Sequence, residues 1–444
     1  MDFLQYPLAL IVTLGVLVTF HELGHFVIAR WSGVTVVRFS VGFGKPVWSR
    51  RDKHGTEFAL GYIPLGGYVR MLDEHEPGAI AYDRQVGDVS YNQLAVWWRI
   101  AIAFGGPLAN FLLAIIVYWI LFVVGATSYA PMLGEVGAQS PLGRAGLVAN
   151  EEVVAVDGAP TATWQDVNMA LAARLGDTGS IEFTTQRPGS ALRRISDVSI
   201  SRWHTGVDEP DLFGSLGIKP ALPAIIARVL PDSPAARAGF HAWDRVESVD
   251  GEPITGWNTW VDLIRSAPGR SLSVRVDRGG LLIDVSVVPE VRTADDGSES
   301  GYLGVGAHIN EVRYGPFAAV PKSLAETWNK TLLTLNLLKK MLTGQVSIKN
   351  LSGPITIAKV AGDSARSGWR YFLSLLALLS ISLGVLNLLP IPILDGGHIM
   401  FCTAEALIGK PVSERVQAVG TQIGLFMIAS LMFLAIYNDI SRLF

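Results

Sequence analysis

Two histidines and one glutamate interrupt an otherwise apolar stretch near the N-terminus, in the heptapeptide FHELGHF. In a helix, residues i and i+4 lie about 400° apart, so His21 and His25 project from one face with Glu22 beside them. Two imidazoles at this spacing can hold one Zn²⁺, and the carboxylate can take a proton from water at the metal. A histidine pair satisfied by hydrogen bonds between helices is the alternative. Because an acidic side chain at membrane depth costs on the order of 2.5 kcal/mol, Glu22 favours a functional site.

A catalytic zinc site needs a third protein ligand, and the best candidate lies near the C-terminus. The stretch NLLPIPILDGGH, residues 387–398, joins an apolar segment to two helix-breaking prolines, and Asp395 follows in apolar surroundings. Irregular backbone at membrane depth is tolerated only where protein or a wet cavity surrounds it. Asp395 is therefore predicted to be the third ligand rather than a turn residue. His398 is the competing third ligand.

Four apolar segments are long enough to carry these residues across a membrane, which needs about 20 helical residues. They are 6–31, 100–124, 369–389 and 418–437. The mean hydropathy of +0.35 also favours a membrane protein. The first segment lacks a basic region before it and an A-x-A cleavage site after it, so it is predicted to be a retained span rather than a signal peptide. The first and third segments run in the same direction, so His25 and Asp395 reach the same depth, toward the cytoplasmic side.

The charged residues predict how the chain is oriented in the membrane and which partners it has. Nine Lys or Arg residues lie from residue 30 to residue 99, whereas the two ends carry almost none. The positive-inside rule then places this loop in the cytoplasm, and both termini and the long insert between the second and third segments outside it. The net charge of -3 gives no reason to expect a nucleic-acid partner. The four apolar segments make the lipid bilayer a predicted partner. The single cysteine, Cys402, excludes intrachain disulfides.

The insert contains an internal repeat. SPLGRAGLVANEEVVAVDG (140–158) aligns without gaps on SPAARAGFHAWDRVESVDG (233–251), at a constant offset of 93 residues. Each copy predicts a short helix, a strand of alternating valines and an Asp-Gly turn, which resembles a circularly permuted bacterial PDZ domain. A Leu-Gly stretch ends each copy and is similar to the PDZ loop that receives a peptide C-terminus. In the permuted order the stretch that ends the first copy could instead form the loop of the second copy. Alternatively, both stretches could be buried glycine turns. The pocket candidates are Leu216, Gly217, Ile218, Leu303, Gly304 and Val305.

Two further patterns lie outside the repeat. GYIPLGGYVRM (61–71) alternates apolar residues around a Gly66–Gly67 turn and predicts a β-hairpin in the first loop. Residues 323–344 have helical spacing, with Leu and Trp on one face and Lys330, Lys339 and Lys340 on the other. This helix is predicted either to lie on the outer membrane surface or to pack on the repeat domains.

HELGH, GGPLANF (105–111), the two PDZ-like copies and NLLPIPILDGG occur in this order, and together they resemble the site-2 protease family of intramembrane zinc metalloproteases. The resemblance covers essentially the whole chain. It implies a multi-pass α-helical membrane protein of a bacterial inner membrane, with four transmembrane helices, a re-entrant β-hairpin and an inserted tandem of two β-rich PDZ domains. The implied domains are 1–126 with the first two spans, 127–219 and 220–310 for the PDZ domains, 311–365 for a linker with the amphipathic helix, and 366–444 with the last two spans.

The resemblance also implies an activity. One Zn²⁺ held by His21, His25 and Asp395, with Glu22 as base, would hydrolyse peptide bonds inside transmembrane segments. The implied substrates are single-pass membrane proteins already shortened by a first protease, chiefly an anti-sigma factor of the RseA type in the sigma-E envelope stress response, and remnant signal peptides. The PDZ tandem would filter substrates by size.

Substrate contacts are implied for the hairpin and for the third span. Gly66, Gly67 and Tyr68 belong to the hairpin that contacts substrate in the family, although a cytoplasmic hairpin without this contact remains an alternative. Asn387 either contacts substrate or makes an ordinary interhelical hydrogen bond. Asn110, in the second span, is predicted to have a structural role.

Two other functions fit parts of the sequence. A PDZ membrane scaffold or sensor with a vestigial metal site needs no base beside its ligands, so the intact Glu22 argues against it. A metal-dependent transporter predicts an inverted repeat, which the sequence lacks.

Overall fold

The computed structural model describes residues 5–72, 88–293, 298–307 and 309–442 of the 444-residue chain. The chain divides into two compact units. We call the first the helical unit, which comprises Met1–Val124, Arg313–Lys339 and Ile348–Phe444. The second is the sheet unit, which comprises Gly125–Val312 and Lys340–Ser347. All four apolar segments therefore belong to one unit and the internal repeat to the other.

Eleven α-helices occur in the described part of the chain. They are α1 (Gln5–Ser32), α2 (Val96–Val124), α3 (Pro141–Arg144), α4 (Trp164–Ala172), α5 (Pro234–Ala238), α6 (Trp257–Arg265), α7 (Pro316–Leu342), α8 (Pro354–Ser367), α9 (Trp369–Asn387), α10 (Asp395–Ile408) and α11 (Glu414–Ser441). Four of them, α1, α2, α9 and α11, are long and apolar enough to cross a membrane. They coincide with the four predicted segments.

Helices α1, α2 and α9 share one apolar core. Its buried members are Leu17, Leu113, Ala114, Val117, Tyr118, Leu376, Ala377, Ile381 and Val385. The backbones of α1 and α2 touch where Gly24 crosses Gly105, because a Cβ on Gly24 would lie 2.1 Å from the carbonyl oxygen of Gly105. Only glycine permits this approach. The crossing brings the His21–His25 face of α1 directly against α2.

The loop between α1 and α2 forms a hairpin of β1 (Val36–Arg51) and β2 (Glu57–Met71). The chain reverses between Arg51 and Glu57 and again between residues 60 and 67, beside the predicted Gly66–Gly67 turn. Residues 57–60 run parallel to 38–41, whereas 67–70 run antiparallel to the same residues. The pairing is irregular between Val41 and Trp48, and residues 38–41 pair both with 67–70 and with 57–60. Residues 67–71 are therefore an edge, with a single strand neighbour in the described part of the hairpin.

Asp52 holds the turn of the hairpin. Its carboxylate accepts hydrogen bonds from the backbone N–H of His54 at 2.9 Å and of Thr56 at 3.0 Å, and it pairs with Arg30 at the end of α1. Although partial burial alone would raise it, these donors hold the pKa of Asp52 below its ordinary value. The turn is thus tied to the helix that carries the histidines.

The other strands lie in the sheet unit. They are β3 (Ala126–Tyr129), β4 (Met132–Leu133), β5 (Glu152–Val156), β6 (Ala159–Pro160), β7 (Gly179–Gln186), β8 (Arg193–Ile200), β9 (Pro220–Ala221), β10 (Ile225–Val229), β11 (Asp244–Val249), β12 (Glu252–Pro253), β13 (Leu272–Arg278), β14 (Leu281–Val287), β15 (Glu290–Thr293), β16 (Glu299–Tyr302), β17 (Val305–Ala307) and β18 (Ile309–Val312).

Two six-stranded sheets repeat one topology. The first has the order β8-β7-β5-β4-β9 with β6 paired to β5, and the second has the order β14-β13-β11-β10-β17 with β12 paired to β11. The Asp-Gly turns match as well, because Asp157 and Asp250 both have a φ of 49°. Each of these aspartates accepts a hydrogen bond from a backbone N–H of the neighbouring strand. Strand β9 ends at Ala221, so the first sheet continues past the predicted boundary at residue 219.

The two Leu-Gly stretches each complete the sheet of their own copy. Strand β9, after the first stretch, pairs with β4, and β17, in the second stretch, pairs with β10. Gly217 and Gly304 have positive φ and pack on Ser140 and Ser233, which cap α3 and α5. The side chains of three pocket candidates are buried and face the core: Leu216, Ile218 and Leu303. A ligand there would meet backbone groups.

Helix α7 begins before the predicted amphipathic segment and exposes an apolar stripe. Leu324, Trp328, Leu332 and Leu335 are 45–62% exposed. The predicted cationic face is incomplete, because Lys340 is buried and forms an ion pair with Asp177 at 2.7 Å.

Candidate metal centre

Helix α1 presents its two histidines side by side. His21 and His25 are one turn apart, and their Nε2 atoms lie 3.2 Å from each other. The Nδ1 atom of His25 donates a hydrogen bond to the backbone carbonyl of Ile102 in α2, at 2.7 Å. A carbonyl can only accept, so in the neutral ring the proton is on Nδ1 and the lone pair is on Nε2.

Asp395 approaches these nitrogens from the first turn of α10. Its Oδ2 lies 3.2 Å from Nε2 of His21, and its Oδ1 lies 3.4 Å from Nε2 of His25. The tight turn before α10 explains the two glycines that follow Asp395. A Cβ on Gly396 would lie 2.3 Å from the carbonyl oxygen of Leu389, and Gly397 is equally confined.

The donor set fits a zinc ion. One ligand atom from each of His21, His25 and Asp395 can be chosen so that all lie within 4.8 Å of one another. In the neutral ring the Nε2 lone pair of His25 faces a carboxylate oxygen, and a cation between these two electron-rich atoms would satisfy both. Two imidazole nitrogens and one carboxylate oxygen match the ligands of catalytic zinc sites, which leave a fourth position open.

An ion pair and a glycine keep α10 and α2 close to the ligands. The guanidinium of Arg99 in α2 lies 2.5 Å from the carboxylate of Glu405 in α10, and both side chains are largely buried. Gly106 faces the two imidazoles, because a Cβ there would lie 2.3 Å from Nε2 of His25. Any larger residue at position 106 would displace a ligand.

Glu22 lies between the ligands and the edge of the hairpin. The backbone N–H of Val69 donates a hydrogen bond to the Glu22 carboxylate. A Cβ on Gly67 would lie 2.9 Å from Cγ of Glu22, so the β2 backbone passes directly beside this side chain. The strand edge and the carboxylate therefore share one space.

A cavity of about 430 Å³ opens onto this space. Its lining comprises His21, Glu22, His25 and Asp395, residues 67–71 of β2, and Tyr91, Ile102, Ala103 and His398. His398, the competing third ligand, lines the cavity but is outside the group of three ligands found among the described residues. A water molecule or a peptide backbone has room beside Glu22.

The predicted substrate contacts divide into two groups. Gly67 and Tyr68 line the cavity, whereas Gly66 and Asn387 do not. Asn387 is the last residue of α9. The PDZ pocket candidates belong to the sheet unit.

Three contributions were not foreseen from the sequence: the N–H of Val69, the carbonyl of Ile102 and the missing side chain of Gly106. The N–H of Val69 and the carbonyl of Ile102 are backbone groups, which residues of any type carry, so the sequence does not predict their roles. Gly106 did leave a signal, because GGPLAN places two adjacent glycines within an apolar span, where a close approach is the usual reason for them.

The chain is similar to known proteins over nearly its whole length. A family model described as Peptidase family M50 matches residues 9–431. The chain is 41% identical to "Regulator of sigma-E protease RseP" of Escherichia coli over 454 aligned positions, covering all of both chains. It is 39% identical to a "Putative zinc metalloprotease" of Vibrio cholerae, again over all of both chains.

Among solved structures, the PDZ domain of an SdrC-like protein from Listeria monocytogenes matches 21% of this chain and 94% of its own, with 20% identity and a TM-score of 0.16. That similarity is too low to bear on the fold. The family match spans almost the whole chain and includes every residue of the candidate metal centre. The chain therefore belongs to peptidase family M50, the family of the site-2 proteases.

Proposed function

We propose that this peptidase is a zinc endopeptidase of a bacterial inner membrane that hydrolyses peptide bonds within transmembrane segments of other proteins. One observation carries the proposal. His21, His25 and Asp395 converge with Glu22 beside them, on helices of a unit that contains four potential membrane spans. Titratable groups placed in this way are costly in a membrane unless they serve a function.

The residues present define the roles in the reaction. His21, His25 and Asp395 would hold one Zn²⁺. The ion would act as a Lewis acid that polarises the scissile carbonyl and lowers the pKa of water toward 7. Glu22 takes a proton from the attacking water and passes it to the nitrogen of the leaving amine. The hydrogen bond from the Val69 N–H keeps the Glu22 carboxylate directed into the cavity.

Residues 67–71 of β2 would receive the substrate. A transmembrane helix hides its carbonyls in internal hydrogen bonds, so it must unwind before a water can attack. The edge of a sheet can hold the unwound segment by adding it as another strand. Gly67 and Tyr68 lie on this edge and line the cavity. Asn387 would contact the substrate farther from Glu22, and the hairpin would dip into the membrane.

The sheet unit would act outside the cytoplasm, together with both chain termini. Its two sheets of equal topology support a tandem of two PDZ domains. Their role would be to admit only substrates whose extramembrane part has been shortened. The exposed apolar stripe of α7 supports a position of that helix on the outer membrane surface.

The substrates would be pre-trimmed single-pass membrane proteins of the anti-sigma-factor type and remnant signal peptides. The name of the Escherichia coli relative, a regulator of sigma-E, supports the first class. The nearby edge strand supports both classes, because backbone pairing does not depend on one side-chain sequence.

The test is Glu22→Gln in purified full-length protein reconstituted with a reporter transmembrane segment. Loss of the proton acceptor is expected to lower the cleavage rate by at least about 100-fold, the scale of general-base catalysis. Zinc content should stay at one ion per chain, because Glu22 is not one of the three ligands. Glu414→Gln, at the exposed start of α11, is the matched control and should cleave normally.

Each outcome has one meaning. If Glu22→Gln cleaves the reporter at the wild-type rate, Glu22 is not the base. Wild-type protein that folds and binds zinc but cleaves no membrane segment would instead favour a PDZ scaffold or sensor with a vestigial metal site.

A further inference from the structure

Asn110 contacts the candidate metal centre from α2, and the reaction described above gives it no role. The nitrogen of its side-chain amide lies 3.0 Å from Nδ1 of His21. Asn110 is 0% exposed. The contact is on the far side of the imidazole from Asp395, which faces Nε2.

His25 shows what such a contact does. Its Nδ1 donates to the Ile102 carbonyl, so its Nε2 keeps the lone pair that faces Asp395. His21 needs the same arrangement if its own Nε2 is to bind a cation. Its Nδ1 must then carry the proton, and the atom facing Nδ1 must be an acceptor.

The amide of Asn110 can provide that acceptor. The two ends of an amide have nearly the same shape, so the hydrogen-bond partner decides which end faces His21. With the amide nitrogen toward the ring, the buried Oδ1 has no hydrogen-bond partner among the described residues. A half turn of the amide puts Oδ1 beside Nδ1–H, where it is satisfied.

We propose that Asn110 is a positioning residue for the metal: its Oδ1 accepts the Nδ1 proton of His21 and so fixes the tautomer and the plane of this ligand. The inference deepens the proposed function and rests on it, because it assumes a zinc ion between His21, His25 and Asp395. Asn110 acts only through His21 and does not touch the substrate.

The surroundings of Asn110 hold it in place. Its backbone carbonyl accepts a hydrogen bond from the hydroxyl of Ser380 in α9, at 2.8 Å, and Ser380 is also fully buried. Gly106, one turn earlier on α2, packs against both imidazoles. A rigid amide can orient the ring of His21, whereas a mobile one could not.

The experiment measures zinc affinity of the purified full-length protein by competition with a chelator, alongside circular dichroism and thermal unfolding. Asn110→Leu removes the acceptor at similar size, and it is expected to weaken zinc binding 10- to 100-fold, the usual effect of losing such a partner. Asn110→Asp keeps an acceptor oxygen and should stay within about threefold of wild type. Ser380→Ala, the matched control, removes the neighbouring hydrogen bond but keeps the amide, and should also stay within about threefold.

A merely structural Asn110 would give the opposite order. Asn110→Asp would then be the worse variant, because it buries a charge, and folded Asn110→Leu would bind zinc like wild type. Either result overturns the inference. Asn110→Ala, which adds no bulk, carries the same expected loss and replaces Asn110→Leu if that variant does not fold. Wild-type protein without zinc would refute the proposed function, whereas zinc-loaded variants of unchanged affinity would refute this inference alone.

Discussion

The crossing of α1 and α2 can be tested by adding a single methyl group. Gly24 lies between the two histidines in sequence, and its backbone touches that of Gly105. In Gly24→Ala the new Cβ would lie 2.1 Å from the Gly105 carbonyl oxygen and 2.7 Å from Cβ of Ala109. Ordinary contact begins near 3.4 Å. The two helices must therefore separate by more than about 1 Å or rotate, because backbone atoms on both sides leave no other escape.

The separation acts directly on the candidate metal ligands. His25 follows Gly24, and its Nδ1 is held at 2.7 Å from the Ile102 carbonyl oxygen. A shift of about 1 Å takes this pair beyond hydrogen-bonding distance and turns the ring away from Asp395. A misplacement of this size lowers a rate on the order of 100-fold, and overpacking costs about 1–3 kcal/mol of stability.

Gly15→Ala provides the matched control on the same helix. A Cβ at this position has nothing within 4 Å, so the substitution adds the same methyl group without a clash. The assay compares both variants with wild type for cleavage of a reconstituted reporter segment, zinc content and thermal unfolding. Gly24→Ala should lose activity about 100-fold and bind zinc more weakly, whereas Gly15→Ala should match wild type.

Wild-type cleavage and zinc content in Gly24→Ala would refute the reasoning, because the backbone contact could not then exist. Equal losses in Gly24→Ala and Gly15→Ala would show that any added methyl group on α1 is harmful, and the contact with Gly105 would explain nothing.

Two further outcomes follow from the geometry. Asp395→Ala removes the only carboxylate of the ligand group and should abolish stoichiometric zinc binding by metal analysis, whereas His398→Ala should retain the ion; the reverse pattern would make His398 the third ligand. The pKa of Asp52 is lowered in the folded protein, so its ionised form stabilises the β1–β2 turn. This stabilisation is complete at pH values above the unfolded pKa of about 4, and it is lost as the pH falls through the lower folded pKa. The hydrogen-exchange rate of the turn amides, corrected for its intrinsic pH dependence, should therefore rise in acid for wild type and change little with pH in Asp52→Asn. Identical pH profiles for the two proteins would contradict the role of Asp52.

The ligand group illustrates how far local rules reach. The spacing of His21 and His25 follows from the helical period, which a sequence displays directly. The proximity of Asp395 to the histidines follows from the direction of the two spans, because spans that cross a membrane the same way bring their C-terminal ends to one depth. The structure places these residues together, 370 positions apart in the chain.

The hairpin shows both the reach and the limit of local rules. The pair Gly66–Gly67 has the composition of a turn, and the chain does reverse direction between residues 60 and 67. The strand segments on the two sides of this reversal do not pair with each other, however, because residues 38–41 lie between them. A pairing register of this kind depends on contacts that no short segment contains.

Asn110 was predicted to have a structural role because an asparagine in an apolar span most often bonds a neighbouring helix. Its contact is indeed with another helix, but the partner atom belongs to a candidate metal ligand. A single sequence cannot reveal the identity of that partner, since it depends on the rotation of α2 about its own axis.

The sequence by itself determined the membrane class, the duplicated sheets and the residue types of the candidate metal centre, because hydropathy, repetition and helical period are properties of consecutive residues. Only the tertiary structure decided which strand edge lies beside Glu22, which carbonyl and amide hold the two imidazoles, and which glycines let α1 and α2 touch. Those features depend on distances between segments far apart in the chain, and such distances are set by packing rather than by local pattern.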